Sequence, residues 1–163
     1  MSVQNTLLFF AVLLSGLIAG LFYSYSCSVN SGLGKLQNLE YLRAMQSINV
    51  AILNPVFFLS FLGTLLVLPA TAWVSYTQNP SMSFYLLLAA SIIYVVGVFA
   101  ITLAGNVPLN ESLATFDLTK ASPTELLKMR KSFELTWNRY HSIRAVASVI
   151  SFALTILSLV KVK

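Results

Sequence analysis

Residues 137–144, which read Trp-Asn-Arg-Tyr-His-Ser-Ile-Arg, bring together side chains that could carry chemistry. A helix turns by about 100° per residue, so Trp137, His141 and Arg144 fall on one narrow face with Tyr140 at its margin. The histidine could transfer a proton, and the arginine could bind a negative charge. They lie where a long apolar run begins, and ionisable groups at that depth usually face a bundle interior or a water-filled cavity. The same residue types also anchor helix ends at lipid headgroups, so both interpretations stay open.

A second polar cluster occupies residues 105–111, with the sequence Gly-Asn-Val-Pro-Leu-Asn-Glu. Pro108 lacks the amide hydrogen that a regular helix needs, so we expect the helix to break or kink there. Broken helices at membrane depth are tolerated where they line a cavity, because the unpaired backbone groups then find partners. Asn106 and Asn110 would add donors and acceptors to such a cavity. An ordinary helix end followed by a turn is the alternative.

Long apolar blocks must position both clusters. The chain has 163 residues, of which 57% are hydrophobic and 9% charged, whereas soluble domains carry about 25% charged residues. No Asp, Glu, Lys or Arg occurs in residues 1–34, 44–110 or 145–160. A bilayer crossing takes about 20 apolar residues. The first and third blocks hold one crossing each, and the middle block holds two, divided by a turn at residues 78–81.

The sequence therefore predicts an all-α membrane protein, a four-helix transmembrane bundle that forms a single domain over residues 1–163. Residues 35–50 carry an apolar stripe at helical spacing, which predicts an additional amphipathic helix at the membrane surface or capping the bundle. Ser122-Pro123-Thr124-Glu125 is typical of a helix start, and that helix could continue into the last span. The four spans are predicted at about residues 5–29, 56–76, 84–105 and 141–160.

The first span carries two further features. Gly16 and Gly20 form a small-xxx-small pair, which allows close helix packing; packing within the bundle is favoured over a dimer interface, and a homo-oligomer stays open. Residues 23–28 are rich in tyrosine and serine. A polar pocket near one membrane face or an aromatic belt at the interface would each explain this run.

The charges indicate a lipid environment rather than a nucleic-acid partner. The net charge of +5 comes from loop residues beside apolar spans, where cations contact lipid headgroups or set the topology. Four spans place residues 30–54 and 106–140 on one side of the membrane. These segments hold most of the Lys and Arg residues, which favours their location in the cytoplasm.

Several classes of site are excluded by composition. The chain has one histidine, His141, and one cysteine, Cys27, which rules out a bis-histidine haem, a usual zinc site and an internal disulfide, so no metal site is predicted. It has no glycine-rich nucleotide motif and no Gly-x-Ser-x-Gly sequence. The five acidic residues all lie in predicted loops, so a proton-pumping carboxylate in mid-membrane is not expected.

The two clusters together resemble a known family. Asn106-Val107-Pro108-Leu109-Asn110-Glu111-x-Leu113, followed by Trp137-x-x-x-His141-x-Ile143-Arg144, is similar to the anthrone oxygenase-like family of small four-span membrane proteins, many of unknown function. The resemblance covers essentially the whole chain. Asparagine often occupies the place of His141 in that family, so a histidine base is not required throughout the group, whereas this chain has a histidine at that place.

The resemblance implies oxidation of an anthrone to an anthraquinone by O₂, without a metal or organic cofactor, in a bacterial inner membrane. His141 would then be the base, Arg144 with Asn106 or Asn110 would stabilise the enolate oxygen, and Trp137 and Tyr140 would stack on the flat substrate. The alternative is a non-catalytic protein that binds lipid or a hydrophobic small molecule, or a structural partner subunit. A purely structural role predicts no cavity joining residues 106–110 to residues 137–144.

Overall fold

The structure, a computed structural model, describes residues 2–78 and 81–160. Within those ranges the chain forms helices and short connections and contains no β-strand. The turn predicted at residues 78–81 includes Asn79 and Pro80, which lie outside the described residues, as do Lys161 and Lys163.

Five helices make up the described fold. Four of them are long and apolar enough to cross a bilayer, and the fifth, α2, is the short helix between the first two spans. The predicted all-α, four-span fold is thereby confirmed, and the chain is a multi-pass membrane protein. The helices are α1 (Val3–Leu33), α2 (Asn38–Ala51), α3 (Pro55–Gln78), α4 (Met82–Ala114) and α5 (Pro123–Val160).

The four long helices pack in a ring, with α1 and α4 each contacting both α3 and α5. Successive helices are neighbours, as in an up-and-down bundle. Polar groups also join the helices: Tyr94 Oη donates to the Phe61 carbonyl at 2.9 Å, and Ser151 Oγ donates to the Ala90 carbonyl at 2.9 Å. Such bonds help to hold helices together in lipid, because lipid tails are as apolar as the helix surfaces and the hydrophobic effect does not drive the helices together there.

Close helix approaches depend on glycines in α1 and α4. A Cβ at Gly97 would lie 2.7 Å from Cβ of Ala147, and one at Gly16 would lie 3.0 Å from the ring of Phe152, both on α5. Gly16 therefore packs within its own bundle. Gly20 has nothing within 4 Å of its Cβ position. The close packing predicted for Gly16 and Gly20 is therefore found at Gly16 and not at Gly20. The homo-oligomer stays a prediction.

Helix α2 and the first half of α5 form a cap over one end of the bundle. The buried face of α2 carries Tyr41, Leu42 and Met45, which pack with Phe133 and Trp137 of α5. Gln46 Nε2 donates to the carbonyls of Leu113 and Phe116 at 2.8 and 3.1 Å, which ties α2 to the end of α4. The segments predicted to share one membrane side are thus in direct contact.

The helix that contains the third span continues beyond Gly105, the predicted end of that span, and runs past Pro108 to Ala114. Two π-helical stretches, Tyr94–Ala100 and Thr102–Asn106, precede the proline. Pro108 then falls in the first turn of a new α-helical segment, where a missing amide hydrogen costs little. The chain accommodates the proline by widening the helix rather than by breaking it.

Candidate functional site

A cavity of about 150 Å³ lies between the bundle and its cap. It joins the two polar clusters, since its wall includes Asn106 and Asn110 as well as Trp137, His141 and Arg144. This is the feature that a purely structural role predicted to be absent. All five helices line it, among others through Phe22 and Tyr25 of α1, Asn49 of α2, Phe61 of α3, Asn106 of α4 and His141 of α5.

His141 and Arg144 form a buried hydrogen-bonded pair, with 1% and 8% of their surfaces exposed. The guanidinium Nη2 and Nε of Arg144 lie 3.3 and 3.4 Å from Nδ1 of His141. A guanidinium has donors and no acceptor, so Nδ1 must carry the lone pair and Nε2 the hydrogen. Nε2 lies 3.0 Å from Oγ of Ser26, to which it donates. The structure thus holds a neutral imidazole in one tautomer.

Arg144 carries a charge that no carboxylate of the described residues neutralises. Within residues 2–78 and 81–160, the salt bridges join Arg130 to Glu134 and Lys120 to Asp117, and no carboxylate lies within 4.0 Å of Arg144. Its guanidinium carbon lies 4.5 Å from the ring centroid of Phe22 and 5.2 Å from that of Trp137. Ring faces compensate a desolvated cation in part. A buried cation without a counter-ion favours a ligand that presents an anionic oxygen.

Trp137 contacts residues of both polar clusters and so links them. Its indole stacks on His141 with 5.2 Å between centroids and 9° between planes, and Nε1 donates to Oδ1 of Asn110 at 2.8 Å. Asn106 Nδ2 donates to the carbonyl of Trp137 at 3.2 Å. Phe133, one turn back along α5, also stacks on the indole. Since protein rings already stack on Trp137, its geometry suits positioning His141 more than stacking on a ligand.

Tyr140 lies apart from this constellation. Its ring packs on Gly105, where an added Cβ would come within 2.6 Å of Cγ, and it is absent from the cavity wall. It lies at the edge of the α5 face that turns toward α4. The Tyr140 ring, which was predicted to stack on a ligand, therefore packs against α4.

The family model for anthrone oxygenase matches residues 57–154, which is more than half of the chain. The chain belongs to the anthrone oxygenase family. The matched segment contains both polar clusters, including Asn106, Asn110, His141 and Arg144. No curated protein and no solved structure matched the chain.

The segment matched to the anthrone oxygenase family does not include all the residues of the cavity wall. Phe22, Tyr25 and Asn49 lie before residue 57, as does Ser26, which binds His141. The wall is therefore composite: α3, α4 and α5 belong to the family segment, whereas α1 and α2 supply the remaining side.

Sequence reasoning missed three polar residues of the site, namely Ser26, Asn49 and Thr102. Ser26 lies in the hydroxyl-rich run at residues 23–28, and its bond to His141 is consistent with the pocket interpretation of that run. Asn49 interrupts the apolar stripe of α2, one turn after Met45, which was an available signal. Thr102, whose Oγ1 lies 3.5 Å from Arg144 Nη1, gave no signal of its own.

Helix irregularities coincide with the site. Tyr25 and Ser26 lie in the π-helical stretch Tyr25–Val29, and Thr102 and Asn106 begin and end the stretch Thr102–Asn106. A π-helical turn rotates the following side chains relative to a regular helix and is frequent at functional sites. These two widened turns point polar side chains of α1 and α4 at the same cavity.

The rim of the cavity is apolar and exposed. Leu53, Phe58 and Leu103 line it with 64%, 40% and 50% of their surfaces exposed. On a bundle that crosses a bilayer, such side chains face lipid. The geometry thus gives a polar inner end with His141 and Arg144, and an apolar mouth through which a lipophilic molecule could enter from the membrane.

Proposed function

We propose that this chain is a cofactor-independent oxygenase that oxidises a lipophilic aromatic compound, either an anthrone or a related hydroquinone-like molecule. The observation that carries the proposal is the buried His141–Arg144 pair, which faces an apolar-walled cavity and has no carboxylate partner within the described residues. Such a site offers a neutral base beside an unneutralised cation. Those are the groups that stabilise an enolate as it forms.

The reaction begins with proton removal. An anthrone has a CH₂ group whose proton is acidic, because its loss gives an aromatic enolate. Nδ1 of His141 accepts that proton, and the negative charge moves to the ring oxygen, where Arg144 donates to it. Asn110 is a second donor, since its Oδ1 is engaged by Trp137 and its Nδ2 remains for the ligand.

Oxygen then takes electrons from the enolate. One electron passes to O₂, and the resulting superoxide and carbon radical combine to a peroxide at the former CH₂ carbon. Loss of the second C–H proton with cleavage of the O–O bond gives the second ring carbonyl and hydroxide, which leaves as water after protonation. One anthrone and one O₂ thus yield one anthraquinone and one water, and no external reductant is required.

Substrate binding would also activate the base. In the unliganded site Arg144 donates to Nδ1 of His141, so the lone pair is occupied. A substrate oxygen is the better acceptor for the guanidinium as negative charge develops on it. Transfer of the Arg144 hydrogen bonds from Nδ1 to the substrate oxygen exposes the lone pair next to the acidic C–H.

Oxygen consumption tests the proposal. The purified chain in lipid nanodiscs receives anthrone near neutral pH, and O₂ uptake and anthraquinone are measured against empty nanodiscs. We expect equimolar O₂ uptake and product formation that a chelator does not change. Saturable anthrone binding without uptake above the empty discs, for anthrone and for a hydroquinone, would instead establish the alternative, a non-catalytic protein that binds a hydrophobic small molecule.

We also propose a bacterial inner membrane as the location, with the cap formed by α2 and the first half of α5 in the cytoplasm. The cation-rich segments 30–54 and 106–140 support this orientation. It predicts that alkaline phosphatase fused after residue 163 is active and that green fluorescent protein fused there is dark. The opposite pattern would place the cap outside the cytoplasm.

A further inference from the structure

Two buried amide atoms in the cavity wall have no protein partner. Among the described residues, Nδ2 of Asn49 and Oδ1 of Asn106 are the buried side-chain polar atoms without a hydrogen bond. Asn106 is 1% exposed, and both residues line the cavity that contains Arg144. A buried polar group without a partner costs free energy. Its presence in a cavity wall points to a ligand that supplies the missing bond.

The unpaired atom of Asn106 is an acceptor. Its Nδ2 donates to the backbone carbonyl of Trp137, and because a carbonyl can only accept, the orientation of the amide is fixed. Oδ1 is therefore the atom left for a ligand, and it can accept a hydrogen bond from a hydroxyl group. This differs from the role suggested by the sequence, since an acceptor cannot stabilise an enolate oxygen.

We propose that Asn49 and Asn106 are specificity-determining residues that recognise ring oxygens of the ligand at two positions. Asn49 donates to an acceptor oxygen such as a ring carbonyl, and Asn106 accepts from a ring hydroxyl. The ligand class is a flat polycyclic compound that carries both groups. This inference rests on the proposed function for the identity of the ring system, and it brings α2, outside the family segment, into the binding site.

Equilibrium binding to unreactive probes separates this inference from catalysis. The three probes are anthracene, which has no oxygen, anthraquinone, which has acceptors alone, and 2-hydroxyanthraquinone, which adds a donor. Binding is followed by quenching of tryptophan fluorescence in nanodiscs. The Kd of a variant is divided by that of the wild-type chain for the same probe, so partitioning of the probe into lipid cancels.

Asn49→Leu keeps the approximate shape and removes the amide. We expect about tenfold weaker binding of anthraquinone and unchanged or tighter binding of anthracene, because loss of one hydrogen bond to a buried donor costs about 1–1.5 kcal/mol. Asn106→Leu should raise the Kd of 2-hydroxyanthraquinone about tenfold relative to the wild-type chain and leave that of anthraquinone unchanged. Equal ratios for these two probes would overturn the role of Asn106. Ser47→Ala, at an exposed position of the same helix, is the matched control and should leave all three Kd values unchanged.

Stability provides a second readout for Asn49. If the Asn49 amide forms its hydrogen bond only with a ligand, Asn49→Leu removes an unpaired buried donor from the unliganded protein. The substitution should then leave the melting temperature of the unliganded protein unchanged or raise it. A lower melting temperature, or equal loss of affinity for anthracene and anthraquinone, would overturn the inference. If the probes behave as expected while anthrone consumes no O₂, the oxygenase proposal fails and recognition by the two asparagines stands.

Discussion

The guanidinium of Arg144 donates to Nδ1 of His141, with Nη2 and Nε at 3.3 and 3.4 Å. On the opposite side of the ring, Nε2 donates to Ser26. The imidazole is therefore fixed in one tautomer, with its basic nitrogen occupied by a cation. The two residues act as one unit, in which a ligand that engages Arg144 also determines the state of His141.

Arg144→Met should weaken ligand binding without unfolding the protein. The substitution removes a buried charge that no carboxylate in residues 2–78 and 81–160 neutralises, and replacing buried charged groups with apolar groups of similar volume is often neutral or stabilising. We expect a melting temperature within a few degrees of the wild-type value. The affinity for an anionic ring compound such as alizarin at alkaline pH should fall at least about tenfold, measured by fluorescence quenching.

Arg144→Lys is the matched control for charge. Lysine keeps the cation but lacks the planar donor fork, so we expect an affinity between those of the wild-type chain and Arg144→Met. Equal affinity of Arg144→Met and the wild-type chain for alizarin would show that the guanidinium does not contact the ligand.

Ser26→Ala should lower turnover because it removes the partner of Nε2. The imidazole then loses the hydrogen bond that holds its Nε2 side in place, whereas the cavity wall is unchanged, since Ser26 does not line it. We expect kcat for anthrone oxidation to fall about tenfold with little change in KM, and Ser26→Thr to restore most of it. A change confined to KM would contradict a positioning role.

Gly105→Ala should destabilise the bundle. The added methyl group would lie 2.6–2.8 Å from three atoms at the backbone end of the Tyr140 ring, which cannot move aside without shifting α5. Overpacking of this kind costs about 1–3 kcal/mol, and thermal unfolding in detergent measures it. Gly20→Ala is the control, because nothing lies within 4 Å of its Cβ. Equal stability of the two variants would contradict the close contact.

Arg130→Ala should loosen the cap. Arg130 donates to the carbonyls of Leu36 and Gly34 at 2.6 and 2.9 Å and lies 4.5 Å from the ring centroid of Tyr41. Burial raises the pKa of Tyr41, so the ring stays neutral under that cation.

Loss of these bonds should cost about 1.5–3 kcal/mol and should speed amide exchange in residues 34–51. Lys131→Ala, at an exposed neighbouring position, should change neither. Unchanged exchange in Arg130→Ala would show that the cap is held by its apolar contacts alone.

Periodicity and hydropathy were sufficient to predict the helices. Uninterrupted apolar blocks required four spans, and the spacing of Trp137, His141 and Arg144 on one helix placed them on one face. The structure adds that residues 106–110 reach the same cavity. That the two clusters meet was expected from the family resemblance rather than from either helix alone.

Local rules failed where the helices are irregular. Pro108 predicted a break or a kink, and the helix does not break there, since a π-helical turn precedes the proline and an α-helical segment begins at it. Such turns depend on tertiary packing and leave no clear pattern in the sequence. The contributions of Ser26 and Thr102 were hidden for the same reason, because each lies on a widened turn whose side-chain directions a regular helix does not predict.

The rate of oxygen uptake by His141→Ala tests the central claim most directly. In nanodiscs saturated with anthrone, we expect kcat to fall about a hundredfold or more, as is usual when a general base is removed, while anthrone still binds. Ser142→Ala, at the exposed neighbouring position, should retain the wild-type rate. Oxidation by His141→Ala at the wild-type rate would contradict the assignment of His141 as the base.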